Sequence, residues 1–270
     1  MNTENVEKLI QIVRKNEREL PYINLDSSGN YAGWVTDFHM YEKGSGVPVK
    51  LDLSAENDMF VLFALASCWS RTGQWQNSAC FAVYLKSSEK DKVSYWRDAD
   101  FVQREKAFRD SALSQMLAGY DLQKPKRQIS FRSDFYDSLH VLANQWEAIK
   151  RSLQDSERNN DYRTFIAFMS GIRGLGAKQN TMKIKIPLLL RELRIQDVFR
   201  NIPGKWCCVP DERVRKAAAD ARFSIPLPKN NTTISAVLKS SEIIYDIFHD
   251  LYDLPLFAYA DLQADWENWK

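Results

Sequence analysis

Apolar residues recur every third or fourth position through most of the chain, the spacing that lines one face of an α-helix. Val6, Leu9, Ile10, Val13 and Leu20 predict an amphipathic first helix over Asn5–Glu19, ended by Pro21. The pattern breaks over Tyr22–Leu53, where Gly29, Gly33, Gly44, Gly46 and Pro48 predict loop, with a short extended piece around Tyr31–Phe38. Asp58–Arg71 is apolar on nearly all sides, which predicts a central buried helix opened by the cap-type residues Asn57 and Asp58. A turn at Thr72-Gly73 leads to a second helix over Gln76–Leu85, and Asp91–Leu117 carries further helix. Phe135, Leu139, Leu142, Trp146 and Ile149 then predict a helix over Ser133–Arg151, with Ser133 or Asp134 at its start.

Downstream, helices are expected near Asp161–Met169 and Gln179–Arg194, separated by a glycine-rich break at Gly171–Gly176. The proline-punctuated loop Asn201–Pro210 leads into a helix from Asp211 to about Ala221. Two last helices are expected over Ser235–Tyr252 and Leu256–Trp269, divided by Pro255. There is no internal repeat and no low-complexity tract, so the expected fold class is all-α with short connections.

Composition narrows the class. At 270 residues, 44% hydrophobic and 27% charged, the chain is long and apolar enough to bury a sizeable core, which excludes disordered and fibrous classes. No run approaches the roughly 18 apolar residues of a membrane span, and Met1–Glu7 is polar and acidic where a signal peptide would be basic. A cytoplasmic protein with no membrane role is expected. Cys68, Cys80, Cys207 and Cys208 form no metal-type or redox-type spacing and read as buried thiols.

The net charge of +2 argues against nucleic acid only as an average. Met1–Met59 carries a net −4 and Phe60–Ser170 a net +3, whereas Gly171–Lys229 holds thirteen basic residues against five acidic ones. That segment is therefore +8, and the tail to Lys270 is −5. One strongly basic stretch is concealed in a near-neutral total.

The basic stretch also holds the informative motifs. Ile172-Arg173-Gly174-Leu175-Gly176-Ala177-Lys178 lies between two predicted helices, and glycines at this spacing allow a tight hairpin with close backbone approach to a neighbour. The amide groups and positive dipole of the following helix suit a phosphate. Farther on, Val209-Pro210-Asp211 places an aspartate at a helix start, where the dipole and nearby N–H groups favour an ionised carboxylate. Such an anion can stabilise a cationic sugar and orient a nucleophile; a simple N-cap is the competing reading.

Together these features resemble the helix-hairpin-helix DNA glycosylase superfamily, whose hairpin has the form Leu-Pro-Gly-Val-Gly-x-Lys followed by an aspartate. Gly174, Gly176 and Lys178 match its glycines and lysine, Ile172 and Arg173 replace its Leu and Pro, and Asp211 matches its catalytic aspartate. The long gap from Lys178 to Asp211 looks most like the archaeal 8-oxoguanine glycosylase branch. That likeness extends to Leu62–Leu85 and to Ile244–Ile247, Leu254-Pro255 and Asp261, so that it covers about Asp58 to Lys270.

The resemblance implies a two-lobed helical fold in which residues 58–270 form the glycosylase-like core, with the hairpin at 171–178, and residues 1–57 form an N-terminal elaboration. It implies excision of a modified base from double-stranded DNA by a monomer, with Asp211 and Lys178 catalytic and no cofactor. Gly174, Gly176, Lys183, Lys185 and Arg213 would hold phosphates. Aligned without gaps to the archaeal branch, the lysine position falls instead on Asn180, flanked by Gln179, which would give a water-only mechanism. The base pocket would draw on Trp75, Ala79, Asp261, Asp265 and Trp266. Ala79 stands where the branch has a tryptophan, and Asp265 or its neighbour Trp266 where it has another. These replacements suit a bulkier, hydroxyl-rich base such as the glucosylated hydroxymethylcytosine of bacteriophages, with 8-oxoguanine as the alternative.

Other candidates carry less. His39, His140 and His249 are scattered, which disfavours a metal site or a histidine triad. Trp69, Trp75, Phe81 and Tyr84 suit core packing as well as base stacking, and Lys124–Arg127 reads as a solvated turn. Neither a Walker loop nor a dinucleotide fingerprint is present.

Overall fold

The computed structural model describes residues 1–15, 25–33, 50–68, 85–86, 91–98, 100, 133–176, 183–263 and 266–268. Among them it is all-α, with nine helices and no strand; Leu25 and Tyr31 form one isolated antiparallel bridge. The helices are α1 (Thr3–Lys15), α2 (Glu56–Cys68), α3 (Lys92–Arg97), α4 (Ser133–Asn159), α5 (Arg163–Ser170), α6 (Lys185–Ile195), α7 (Glu212–Ala219), α8 (Ile234–Phe248) and α9 (Leu254–Leu262). No helix among the described residues is long and apolar enough to cross a membrane. The chain divides into two compact units, one of Met1–Trp34 with Asn180–Lys270 and one of Val35–Gln179.

The Val35–Gln179 unit is centred on α2. Phe60 to Ala66 are fully buried, as a helix apolar on all sides must be if it is to leave water. Trp146 of α4 lies edge-on to Phe60 and Phe63, with ring centroids 5.2 and 5.3 Å apart. Its indole N–H, which would be costly to bury unpaired, donates to Glu56 Oε1 at 2.9 Å, and Lys150 Nζ donates to the same oxygen at 2.6 Å. The α2 helix starts at Glu56, so Asn57 and Asp58, expected to open it, lie in its first turn and bond outside it. Asn57 Oδ1 accepts from the Lys92 N–H at the head of α3 (3.1 Å), and Asp58 Oδ2 accepts from the Asp52 N–H (2.7 Å).

In the other unit α1 turns Val6, Leu9, Ile12 and Val13 inward against α9. The Asn2 N–H and Asn5 Nδ2 donate to the carbonyls of Phe223 and Arg222, each at 3.0 Å. Lys8 donates to the Trp266 carbonyl at 3.1 Å and lies over its ring. Phe223, Tyr259 and Trp266 form an aromatic cluster with centroids 4.7–5.6 Å apart.

Three helices have shifted ends with local causes. Pro255, expected as a divider, sits instead in the first turn of α9, where its missing N–H has no intrahelical role. The α8 helix stops at Phe248 because His249 takes φ +48°, and α5 begins at Arg163, whose N–H is taken by Asp161 Oδ1 at 3.0 Å. The extended piece expected around Tyr31–Phe38 lies outside the described residues beyond Gly33, as do the Gln76–Leu85 helix up to Leu85 and most of Asp91–Leu117.

Trp146 gives a direct test of the α2–α4 core. Trp146→Ala is expected to destabilise the protein by about 3–5 kcal/mol in urea unfolding. Trp146→Phe should cost less, its loss including the Glu56 hydrogen bond.

Candidate functional site

The site grows from a backbone problem. Cys207, Cys208 and Val209 are buried outside any helix and with no strand beside them among the described residues, so their polar backbone groups need other partners. A 3₁₀ turn at Gly204–Trp206 leads in, and Gly204 is obligatory there because a Cβ would fall 2.6 Å from the Tyr245 ring. The Cys208 N–H then donates to Ser241 Oγ of α8 (2.8 Å), and the Val209 N–H to Asp253 Oδ1 (2.7 Å). The Pro210 carbonyl accepts from Asn231 Nδ2, and Pro210 itself has no N–H to satisfy. Asn231 Oδ1 in turn accepts from Arg215 of α7 at 3.1 Å. Both thiols are free, and burial raises their pKa values and keeps them protonated.

This pinned segment delivers Asp211 to the head of α7, as the sequence predicts. Asp211 is extended (φ −69°, ψ −179°) and its Oδ1 accepts from the Val214 N–H at 2.8 Å. Val214, Ala217 and Ala218 bury the inner face of α7, which packs on α9. The proton affinity of Asp211 is higher than a helix start alone would make it. Burial pushes its carboxyl above the ordinary aspartate value of 3.8, against the pull of the Val214 N–H; Asp253 adds to the rise and Arg213 opposes it. Desolvation therefore outweighs the helix terminus. A half-buried carboxylate of raised basicity is equipped to accept a proton from water or to face a developing cation.

Beneath the segment lies a cluster of buried charges that the sequence did not single out. Arg191 of α6 donates from Nη1 to Asp253 Oδ1 at 2.8 Å, its Nε stands 3.5 Å from Glu192 Oε1, and its guanidinium lies 4.9 Å from the Tyr31 ring centroid. Burial works against the Arg191 charge, but Asp253, Tyr31 and Glu192 together hold its pKa above the usual value. Gly33 touches the same cluster: at φ +83°, a Cβ there would lie 2.7 Å from Glu192 Oε2.

The hairpin glycines belong to the Val35–Gln179 unit and differ from expectation in what they approach. Gly174 (φ +91°) and Gly176 (φ +151°) are buried rather than presented to a phosphate. A Cβ at Gly174 would meet Ser67 Cβ at 3.1 Å and Ser138 Cβ at 3.5 Å, so the missing side chain serves packing on α2 and α4. Lys185 differs as well: it is 1% exposed, because the first turn of α6 is buried all round, and it offers no surface contact to phosphate.

Lys183 is half-buried, and Arg213 is exposed with its guanidinium 4.5 Å from the Phe257 ring centroid. Asp261 lies near the end of α9, and Trp266 is 3% exposed within the aromatic cluster. Lys178, Gln179, Asn180, Trp75, Ala79 and Asp265 lie outside the described residues. Of the histidines, His140 bonds the Trp96 carbonyl and Asn144 through its ring nitrogens, and no group of three metal-binding side chains occurs among the described residues. Comparisons of the chain with protein-family models, with curated proteins and with solved structures found no match.

The raised pKa of Asp211 has a thermodynamic consequence of definite sign. The folded state holds its proton more tightly than the unfolded chain, so ionised Asp211 costs stability, a cost absent well below pH 3.8 and complete above the folded pKa. Asp211→Asn keeps a competent N-cap and cannot ionise. Its melting temperature should equal that of the wild type near pH 3, rise above it with increasing pH and then level off in a calorimetric series. Asp211→Ala should lose about 1 kcal/mol through the missing cap.

Proposed function

We propose that the chain is a DNA N-glycosylase that turns a modified nucleotide out of the duplex and hydrolyses its glycosidic bond. On this reading the fold is a two-lobed helix-hairpin-helix glycosylase-like fold, with residues 58–270 as its core. The observation that carries the proposal is Asp211: a half-buried carboxylate of raised basicity at the head of α7, in the position that matches the catalytic aspartate of that superfamily. In the reaction the C1′–N bond breaks with its electrons leaving on the base, and the anionic Asp211 faces the oxocarbenium-like sugar. Asp211 takes a proton from the water whose oxygen adds to C1′, and that proton passes through solvent to the departed base anion, leaving a free base, an abasic site and Asp211 ionised again. If Lys178 is placed as in the superfamily pattern, its amine replaces that water and strand cleavage follows.

The exposed Arg213, two residues along from Asp211, suits a phosphate beside the turned-out nucleotide. For the substrate, the small Ala79 favours a bulky phage-type base such as glucosylated hydroxymethylcytosine, whose removal would scar invading DNA with abasic sites; 8-oxoguanine repair is the alternative. A second reading is also supported by one observation. The Asp211 carboxylate does cap α7 through Val214, which is all that a non-catalytic DNA-binding module would need of it.

One assay separates these readings. Duplexes bearing each base are incubated with the protein and scored for abasic sites, with binding measured in parallel across a salt series. The wild type should release the glucosylated base, and Asp211→Asn should slow release by about 10²–10³-fold while binding stays within a few-fold. Release of 8-oxoguanine alone would transfer the protein to repair. Equal function of Asp211→Asn and the wild type would leave Asp211 a cap and the protein a binding module.

A further inference from the structure

Asp253 occupies the N-cap position of α9 and yet does not cap it. Its side chain makes no bond to the first turn of its own helix, whose second residue is Pro255. The carboxylate is turned the other way, into the protein, where Oδ1 accepts from both the Val209 N–H (2.7 Å) and Arg191 Nη1 (2.8 Å). Val209 is two residues before Asp211, and its carbonyl receives the Asp211 N–H at 2.9 Å. One carboxylate oxygen thereby fixes the backbone step that sets Asp211 at the head of α7.

The chain reaches this arrangement through a strained corner. His249 (φ +48°, ψ −129°) and Tyr252 (φ +53°, ψ −133°) take conformations that side chains other than glycine rarely adopt. Such strain persists only where surrounding contacts over-determine it. Here the Asp250 carbonyl accepts from the Tyr31 N–H at 2.9 Å, Asp250 Oδ1 accepts from the Tyr245 hydroxyl at 3.1 Å, and Arg194 bonds the Tyr252 side chain. Asp253 is the next residue after the strained pair, 6% exposed and held by a buried arginine.

We propose that Asp253 is the positioning residue of the site, its inward carboxylate fixing the Cys207–Pro210 segment and so the placement of Asp211. The inference rests on Asp211 being the reacting group and adds the residue that sets it. Asp253 also acts on Asp211 through its charge: with Arg213 it is the charged group that acts on the Asp211 carboxyl, Asp253 raising its pKa and Arg213 lowering it.

Asp253→Asn alone would leave Arg191 buried with its main counter-charge gone and is prone to unfold. Two triple variants avoid this by also removing the charge of Glu192, which pairs with Arg191 at 3.5 Å. R191L/E192Q/D253N keeps an acceptor for the Val209 N–H and removes all three charges, and R191L/E192Q/D253A removes the acceptor as well. With a duplex substrate, kcat should be about 10²-fold higher for R191L/E192Q/D253N than for R191L/E192Q/D253A, with KM alike. The acidic limb of the R191L/E192Q/D253N pH profile should move to lower pH than in the wild type. Equal kcat in the two triples, or an acidic limb unmoved, overturns the proposal.

The Asp211 carboxyl can also be titrated directly by carbon-13 NMR in the protein without DNA. A midpoint lower in R191L/E192Q/D253N than in the wild type supports the role of Asp253, since the Arg191 and Glu192 charges are removed as a pair, and an unchanged one overturns it. That readout keeps its meaning if the wild type releases no base, an outcome that would sink the glycosylase reading alone.

Discussion

The buried stretch Cys207–Pro210, with neither helix nor strand to satisfy its backbone, is the constraint on which the geometry at Asp211 turns. A strand would satisfy such a backbone through a neighbour in a sheet; here no strand is present among the described residues, and the Cys208 and Val209 N–H groups are met by single side chains from elsewhere in the chain. Ser241 comes from α8, Asp253 from the start of α9 and Asn231 from the loop before α8. Each partner is far in sequence from the residue it serves. The local geometry at Asp211 is therefore set by the packing of the C-terminal helices, and cannot exist before they dock.

Electrostatics follows from the same packing. An acceptor strong enough to hold the Val209 N–H in the interior is supplied as a carboxylate, and a buried carboxylate requires a cation. Arg191 meets that need, and Glu192 and Tyr31 complete its surroundings. The negative charge of Asp253 then acts on Asp211 and pushes its proton affinity up along with burial. A demand for backbone satisfaction thus becomes a setting of the basicity at the candidate reacting group, with the strained corner at His249–Tyr252 as its structural cost.

Some of this is legible in the sequence. A proline followed by Asp211, with Val214, Ala217 and Ala218 at three- and four-residue steps, announces a capped helix, and the apolar Asp58–Arg71 run announces a buried one. The Gly174 position also reads as a place where only glycine fits, but the neighbour it approaches is Ser67 on α2, which no local pattern reveals. Asp253 was invisible for a related reason. Followed by Leu254-Pro255, it has the appearance of an ordinary cap, and only the tertiary structure turns its carboxylate inward toward Val209. The upward direction of the Asp211 pKa shift is not legible either, because a helix dipole can be read from sequence while desolvation cannot.

The +8 segment shows why a count of cations is not a count of phosphate contacts. Arg191 and Lys185 are interior, and Arg215 and Arg222 direct donors to Asn231, the Pro228 carbonyl, Asp220 and Tyr259. Arg200, Lys205 and Lys216 stand at the surface beside Asp197, Glu242 and Glu212. Exposed pairs of this kind are worth about 0–1 kcal/mol, little enough for a phosphate to replace the carboxylate. Four of the thirteen basic residues are thus committed to contacts within the protein, and three are held in weak pairs that a polyanion can open. On the glycosylase reading, attraction to DNA comes from exchange at those surface pairs together with Arg213, a mode that is shallow in affinity and steep in its dependence on salt.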